Sequence, residues 1–228
     1  MCTIIGMSDR LPCPTWVSTL TMEEFARLER MSEFEKQYYD SGARYIAGAD
    51  EVGRGSLAGP VLACAVILPR GLKIPGVNDS KKLSPPRREL LSRIIREQAL
   101  AYAFGAVDPK TIDEINIYNA TVAAMTAALD KLSIAPDAVL TDAMKLPSVT
   151  CPLRSIVHGD ALSITIAAAS VLAKVERDAM LTKYHEIWPV YGFDKHKGYG
   201  TKAHINAIRE HGLCPVHRVT FSQKFTGA

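Results

Sequence analysis

Adjacent carboxylates at Asp50 and Glu51, followed at once by Val52-Gly53-Arg54-Gly55, form the densest chemical feature of the sequence. They close an apolar run, Tyr45-Ile-Ala-Gly-Ala-Asp50, and an apolar strand carries charge only against a heavy desolvation penalty. In a regular strand the two side chains point to opposite faces, so they converge only where the strand ends or bulges, which Gly53 and Gly55 would allow. A solvated turn is the competing reading of this segment alone. Two more aspartates have similar settings: Asp142 ends Val139-Leu-Thr-Asp, and Asp160 lies in His158-Gly-Asp behind Arg154-Ser-Ile-Val. Singly, each is a common turn or capping residue. Gathered at one sheet edge, the four could not stay ionised without a counter-charge, and hard oxygen donors select Mg²⁺ or Mn²⁺. Two such ions about 4 Å apart activate a water and stabilise the leaving oxygen in phosphodiester hydrolysis.

A second cluster, Phe193-Asp-Lys195-His-Lys197-Gly-Tyr199-Gly200, interleaves cations and an aromatic with glycines, which suits gripping phosphates and stacking on a nucleoside. A plain basic surface loop is its alternative, as a solvated helix approach is for Lys81 and Lys82. Gly53-x-Gly55-x-x-x-Gly59 is one residue too long for a dinucleotide loop and leads into a strand-like run, so its glycines instead serve close backbone approach to a sugar or phosphate. His185-Glu186 opens no zinc-protease motif, because Pro189 stands where histidine is needed, and no serine lies in a G-x-S-x-G elbow. His204 and His211, seven apart on a short helix, are expected at its surface.

The elements that must position these groups follow from the hydrophobic pattern. Tyr45–Asp50, Val61–Leu68, Ala101–Val107, Ala138–Asp142 and Arg154–Val157 read as strands. A helix starts at Ser84-Pro85 with Leu90, Leu91, Ile94 and Ile95 as its buried face, and another spans Tyr118 to Leu132. Ser163 to about His185 forms a long helix whose Ala167-Ala-Ala-Ser170 run suits close packing on a sheet, and Thr201–His211 a last short one. Thr21-Met-Glu-Glu24 is a capping box opening a helix that Gly42 can end, with Phe25, Leu28, Phe34 and Tyr38 on one stripe. Residues 1 to about 20 read as a loose lead-in. The order of elements predicts a mixed α/β sheet with helices on its faces.

The 228 residues, 47% of them hydrophobic, suffice for one substantial core, and 22% charged residues speak against disorder. A net charge of +3 permits a polyanionic partner without demanding one. Five cysteines without close C-x-x-C spacing fit reduced thiols, and no run approaches the roughly 20 apolar residues of a membrane span, so a soluble, cytoplasmic protein is expected.

Taken together these stretches closely resemble ribonuclease HII, the bacterial type 2 ribonuclease H family. The matching pieces are Asp-Glu-Val-Gly-Arg-Gly at 50–55, Leu-Ala-Gly-Pro at 57–60, Asn-Asp-Ser-Lys-Lys-Leu at 78–83 and Tyr-Asn-Ala-Thr at 118–121. They continue with Gly-Asp-Ala-Leu-Ser at 159–163, Ala-Ala-Ala-Ser-Val-Leu-Ala-Lys-Val at 167–175, Lys-His-Lys-Gly-Tyr-Gly-Thr at 195–201 and Pro-Val-His-Arg at 215–218, in order from about Tyr45 to Phe225. The resemblance implies a ribonuclease H-like fold, a mixed five-stranded sheet flanked by helices, with a C-terminal helical segment. It divides the chain into an N-terminal extension with one amphipathic helix over 1–44 and a catalytic domain over 45–228.

It further implies that Asp50, Glu51, Asp142 and Asp160 bind divalent metal ions, Mg²⁺ or Mn²⁺, and that Asp178 has a supporting role. Gly53, Arg54 and Gly55 would sense the ribose 2′-OH, Tyr199 would stack on the adjoining deoxyribose, and Lys81 would contact a phosphate. The implied substrates are RNA–DNA hybrids and DNA duplexes containing ribonucleotides, cut on the 5′ side of a ribonucleotide to leave a 3′-hydroxyl and a 5′-phosphate. A monomer is expected. His158 stands where the family commonly has lysine. A non-catalytic nucleic-acid-binding module is the rival reading. Against it, four acids beside a polyanion would repel it unless metals intervened.

Overall fold

The computed structural model describes residues 21–226, so the lead-in expected over 1–20 lies outside the described residues. The five strands are β1 (Ile46–Val52), β2 (Val61–Ile67), β3 (Ala101–Val107), β4 (Ala138–Asp142) and β5 (Leu153–Ile156), in sheet order β3-β2-β1-β4-β5. The first three pair antiparallel, while β4 pairs parallel with both β1 and β5. The mixed α/β sheet expected from the sequence is therefore what the chain forms.

Helices α1 (Met22–Arg30) and α2 (Glu33–Asp40) precede the sheet, and α3 (Pro85–Gln98), α4 (Pro109–Asp130), α5 (Gly159–Leu162) and α6 (Ile164–Ile187) lie between or after its strands. The short α7 (Phe193–His196), α8 (Lys202–His211) and α9 (Val219–Ser222) complete the C-terminal segment. The all-apolar β2 is buried on both faces: Leu62, Cys64 and Val66 pack with α3 and α6, and Val61, Ala63, Ala65 and Ile67 pack with α4. That is why its sequence is a continuous run rather than an alternation. A Cβ on Gly48 of β1 would collide with the Thr165 backbone, so helix and strand touch main chain to main chain two residues from Asp50.

Four expectations need correction. The single helix of the extension is two, broken at Met31-Ser32, where the Ser32 hydroxyl turns back onto the Leu28 carbonyl at 2.8 Å and competes with the helical ladder. Leu28 is buried but Phe25 is exposed, so the stripe does not extend through the first turn. On α3, Leu91 and Ile95 face α6 while Leu90, a helical step away, points to solvent. Helix α4 starts nine residues earlier than the 118–132 pattern suggested and kinks at Asn116 (φ 67°), whose side chain caps the second segment through the Asn119 N–H.

Candidate active site

Strand β1 neither ends nor bulges at its carboxylates: Asp50 pairs with Cys64, Glu51 with Ala63 and Val52 with Leu62 in unbroken register. Pleating therefore keeps the two side chains on opposite faces. Asp50 lies on the α6 side, buried, with its carboxylate accepting the Glu51 N–H at 2.7 Å. The parallel ladder brings Ala49 beside Thr141, so the next step sets Asp50 beside Asp142, the last residue of β4. Asp142 accepts the Gly159 N–H at 2.8 Å, which anchors α5 over the strand end and delivers Asp160. Carboxylate oxygens of Asp50, Asp142 and Asp160 all lie within 4.8 Å of one another.

The fourth predicted member stands apart. Glu51 is not in that group; one oxygen meets Arg54 at 3.3 Å, and the other, Oε2, is buried without a hydrogen-bond partner. Asp178 is also outside the group, on α6, paired with Lys174 at 2.7 Å and 3.9 Å from Arg88.

The cluster is short of positive charge. Burial, then the charges of Glu51 and Asp142, push the Asp50 pKa well above the ordinary carboxylate range. Burial and the neighbouring Asp142 raise Asp160 likewise. The cation nearest Asp160 is Lys81, on a mostly exposed side chain 3.8 Å away. Burial opposes protonation of that lysine, but Asp160 and Asp50 more than offset it, and its pKa rises. Three converging hard-oxygen donors and an orphaned buried oxygen on Glu51 fit a divalent cation.

Beside the aspartates lies a groove of about 520 Å³ whose walls include Gly53, Arg54, Gly55, Lys81 and Tyr199, the residues expected to contact substrate. Gly53 has to be glycine: its φ is +93°, and a Cβ would run into the Arg177 guanidinium. Tyr199 is tied to the same strip by a bridge to Ser56, and its ring lies 5.7 Å from both Lys174 Nζ and the Arg177 guanidinium carbon. Arg88, Lys174 and Tyr199 also line a larger basic depression of about 820 Å³ reaching Arg93, Arg96, Lys195 and Lys197.

One expected surface residue is instead buried. His204 is fully covered, its Nε2 3.0 Å from Nε2 of His217 and its Nδ1 3.0 Å from the Tyr199 carbonyl, while His211 stays at the surface. Thirteen residues separate His204 from His217, so no local pattern signals the pair.

A five-stranded mixed sheet with three aspartates gathered from β1, β4 and α5 beside a basic groove is the arrangement expected of the ribonuclease H-like class. The family model described as Ribonuclease HII matches residues 47–224. Ribonuclease HII of Ruminiclostridium cellulolyticum is 54% identical over 202 residues, 89% of this chain and 79% of its own. That of Bacillus cytotoxicus is 54% identical over 200 residues, 88% and 77% respectively. This chain belongs to the ribonuclease HII family, and it is a ribonuclease H, a hydrolase. Among solved structures, ribonuclease H2 of Pyrococcus horikoshii shares the fold with a TM-score of 0.67 at 24% identity, covering 81% of this chain and all (100%) of that one. Bst-RNase HIII, in complex with Mn²⁺, does so with a TM-score of 0.60 at 18% identity, covering 82% and 70%.

Proposed function

We propose that the protein is an endonuclease that hydrolyses the RNA strand of RNA–DNA hybrids and incises DNA duplexes on the 5′ side of an embedded ribonucleotide. The observation that carries this reading is the convergence of Asp50, Asp142 and Asp160 beside the groove walled by Gly53–Gly55, Lys81 and Tyr199. Asp50, Asp142 and Asp160, with the free Oε2 of Glu51, would hold two divalent ions, Mg²⁺ or Mn²⁺. When bound, such ions neutralise the cluster and supply charge stabilisation to a phosphodiester undergoing displacement. In that displacement water adds its oxygen to phosphorus, the bond from phosphorus to the upstream O3′ breaks, and a proton ends on O3′. The products are a 3′-hydroxyl and a 5′-phosphate.

The remaining tasks fall to the chain's own groups. Lys81 can leave Asp160 for a substrate phosphate, since its side chain is largely solvent-exposed. The Gly53–Gly55 main chain would read the 2′-OH, the group that separates RNA from DNA. The Tyr199 ring, held by its strip and flanked by two cations, would stack on the deoxyribose that follows. Free Cys64, Cys151 and Cys214 suit a reducing cytoplasm, and a monomer suffices for the site, because every residue named comes from one chain.

A labelled DNA duplex with one ribonucleotide, incubated with Mg²⁺ or Mn²⁺ and again with excess chelator, tests the reading. Metal-dependent incision immediately 5′ of the ribonucleotide is expected. Cleavage of long hybrids alone would overturn the junction-reading role of Gly53–Gly55 and Tyr199, and no cleavage of either substrate would leave a binding module.

A further inference from the structure

Two arginines lie fully buried beneath the groove: Arg177 on α6, and Arg218 immediately before α9. Every hydrogen bond either one makes goes to a main-chain carbonyl. Arg218 donates from Nη2 to Gly53 O at 2.7 Å, from Nη1 to Arg54 O at 2.9 Å, and from Nε and Nη2 to Gly59 O at 3.0 and 2.9 Å. Arg177 donates to Pro60 O and Lys197 O at 2.9 Å and to Ala58 O at 3.0 Å. A buried cation without a carboxylate is costly, and the two charges lie near enough that Arg177 disfavours the charged form of Arg218. What a guanidinium offers in return is a rigid fork of five N–H donors, which no other side chain has.

The consequence lies in the peptide planes. Across a planar trans peptide the C=O of one residue and the N–H of the next point opposite ways. By drawing the Gly53 and Arg54 carbonyls inward, Arg218 turns the Arg54 and Gly55 N–H groups outward, toward the groove that both residues line. Neither N–H has a main-chain acceptor among the described residues, whereas the next one, on Ser56, folds back to Gly53 O at 3.4 Å. Successive outward N–H groups make a concavity suited to an oxygen ligand.

We propose that Arg218 is a positioning residue that aims the Arg54 and Gly55 N–H groups at the sugar hydroxyl of a ribonucleotide, while Arg177 locks the facing Tyr199 turn to the same strip. This rests on the groove being the ribonucleotide site.

The test compares two short DNA duplexes, one with a single ribonucleotide and one without, bound in chelator at low salt so that nothing is cut. The unmodified protein should prefer the ribonucleotide duplex, and the Arg54 and Gly55 amides should gain hydrogen-exchange protection with that duplex alone. Arg218→Lys keeps the charge but loses the fork. Its affinity for the all-DNA duplex should stay within about twofold, while its preference for the ribonucleotide should fall about tenfold, the loss expected when an aligned hydrogen bond is misdirected. A folded Arg218→Lys protein with undiminished preference overturns the proposal. Should that variant fail to fold, the unmodified protein decides: protection of both amides specific to the ribonucleotide duplex supports the proposal, and equal or absent protection refutes it. No preference in the unmodified protein would sink the groove assignment itself, which separates the two failures.

Discussion

Replacing Asp50 by asparagine should make the metal-free protein more stable and abolish cleavage. The side chains are nearly isosteric, so the substitution chiefly removes a buried charge whose neighbours, Asp142 and Asp160, have oxygens within 4.8 Å. At an effective dielectric constant of 20, two carboxylates at that separation repel by about 3.5 kcal/mol. Partial protonation relieves much of this, so a net gain of about 1–2 kcal/mol is expected, or about 2–8 °C in melting temperature for a chain of this size. The sign with pH follows from the raised pKa of Asp50. The folded state holds that proton more tightly than the unfolded chain, so the wild-type protein is relieved at acid pH and penalised as pH rises through the folded-state pKa. The advantage of Asp50→Asn should accordingly be largest near pH 8 and shrink toward pH 4. Saturating Mg²⁺ should reverse it, since ligand at about 100 times its dissociation constant stabilises the unmodified protein by about 2.7 kcal/mol. Thermal melts in chelator and in Mg²⁺, with cleavage assays on the same preparations, make the measurement. A variant that melts lower in chelator, or that cleaves at near-normal rate, would refute the picture of an anionic cluster waiting for cations.

Tyr199→Phe should be mild, while Tyr199→Ala should cost about 1–3 kcal/mol in kcat/KM on a junction substrate, the usual worth of a lost stacking partner; equal losses would assign the effect to the hydroxyl. Glu35→Ala should lower stability by about 2–3 kcal/mol in urea unfolding, because its buried Oε1 accepts from Ser163 Oγ, Thr165 N and Thr165 Oγ1; the two hydroxyls can pair with each other at 3.1 Å, but the Thr165 N–H and one hydroxyl donor would be left without an acceptor, and Glu35→Gln, which keeps that oxygen, should cost less. Burial holds His204 and His217 near pKa 4, against 6.5 for an exposed imidazole. The unfolded chain thus takes up protons first, and stability should be intact above about pH 6.5 and fall steadily toward pH 4, a slope that His204→Gln should flatten in pH-dependent urea titrations.

Much of this candidate site was legible because its acids follow short apolar runs, near the end of β1 and at the end of β4 or just beyond β5, and such a position is a local property. Asp142 needs only Val139-Leu-Thr before it to be placed, and the parallel register with β1 then dictates its neighbour. Glu51 shows the limit of such reading. Adjacency to Asp50 does not say where its carboxylate goes: the unbroken β2 ladder sets the side chain on the opposite face of β1, outside the three-aspartate group, with only Oε2 left free, and a ladder depends on a partner strand ten or more residues away. The roles of Arg177 and Arg218 were not legible, for a different reason. An arginine beside glutamate and aspartate, as in Val175-Glu-Arg-Asp, reads as a solvated helical charge, and only the fold reveals that its fork is filled by carbonyls. The same holds for Glu35, which reads as a surface residue of an amphipathic helix until α2 is docked against the first turn of α6.

The two halves of the site carry unneutralised charge of opposite sign, and their separation is itself informative. Were Arg177 or Arg218 to reach the aspartates, each pair would cancel, and neither metal nor polyanion would have anything left to compensate. The carbonyls of Gly53, Arg54, Ala58, Gly59, Pro60 and Lys197 prevent that by occupying both forks, and Gly53 makes it sterically possible by leaving room for Arg177. On the other side, two main-chain N–H groups hold Asp50 and Asp142 without neutralising either. Each half is therefore rigid but electrostatically incomplete. A ligand that brings cations to the aspartates and presents oxygens to the Gly53–Gly55 turn satisfies both at once, and a nucleic-acid strand carrying divalent ions is such a ligand.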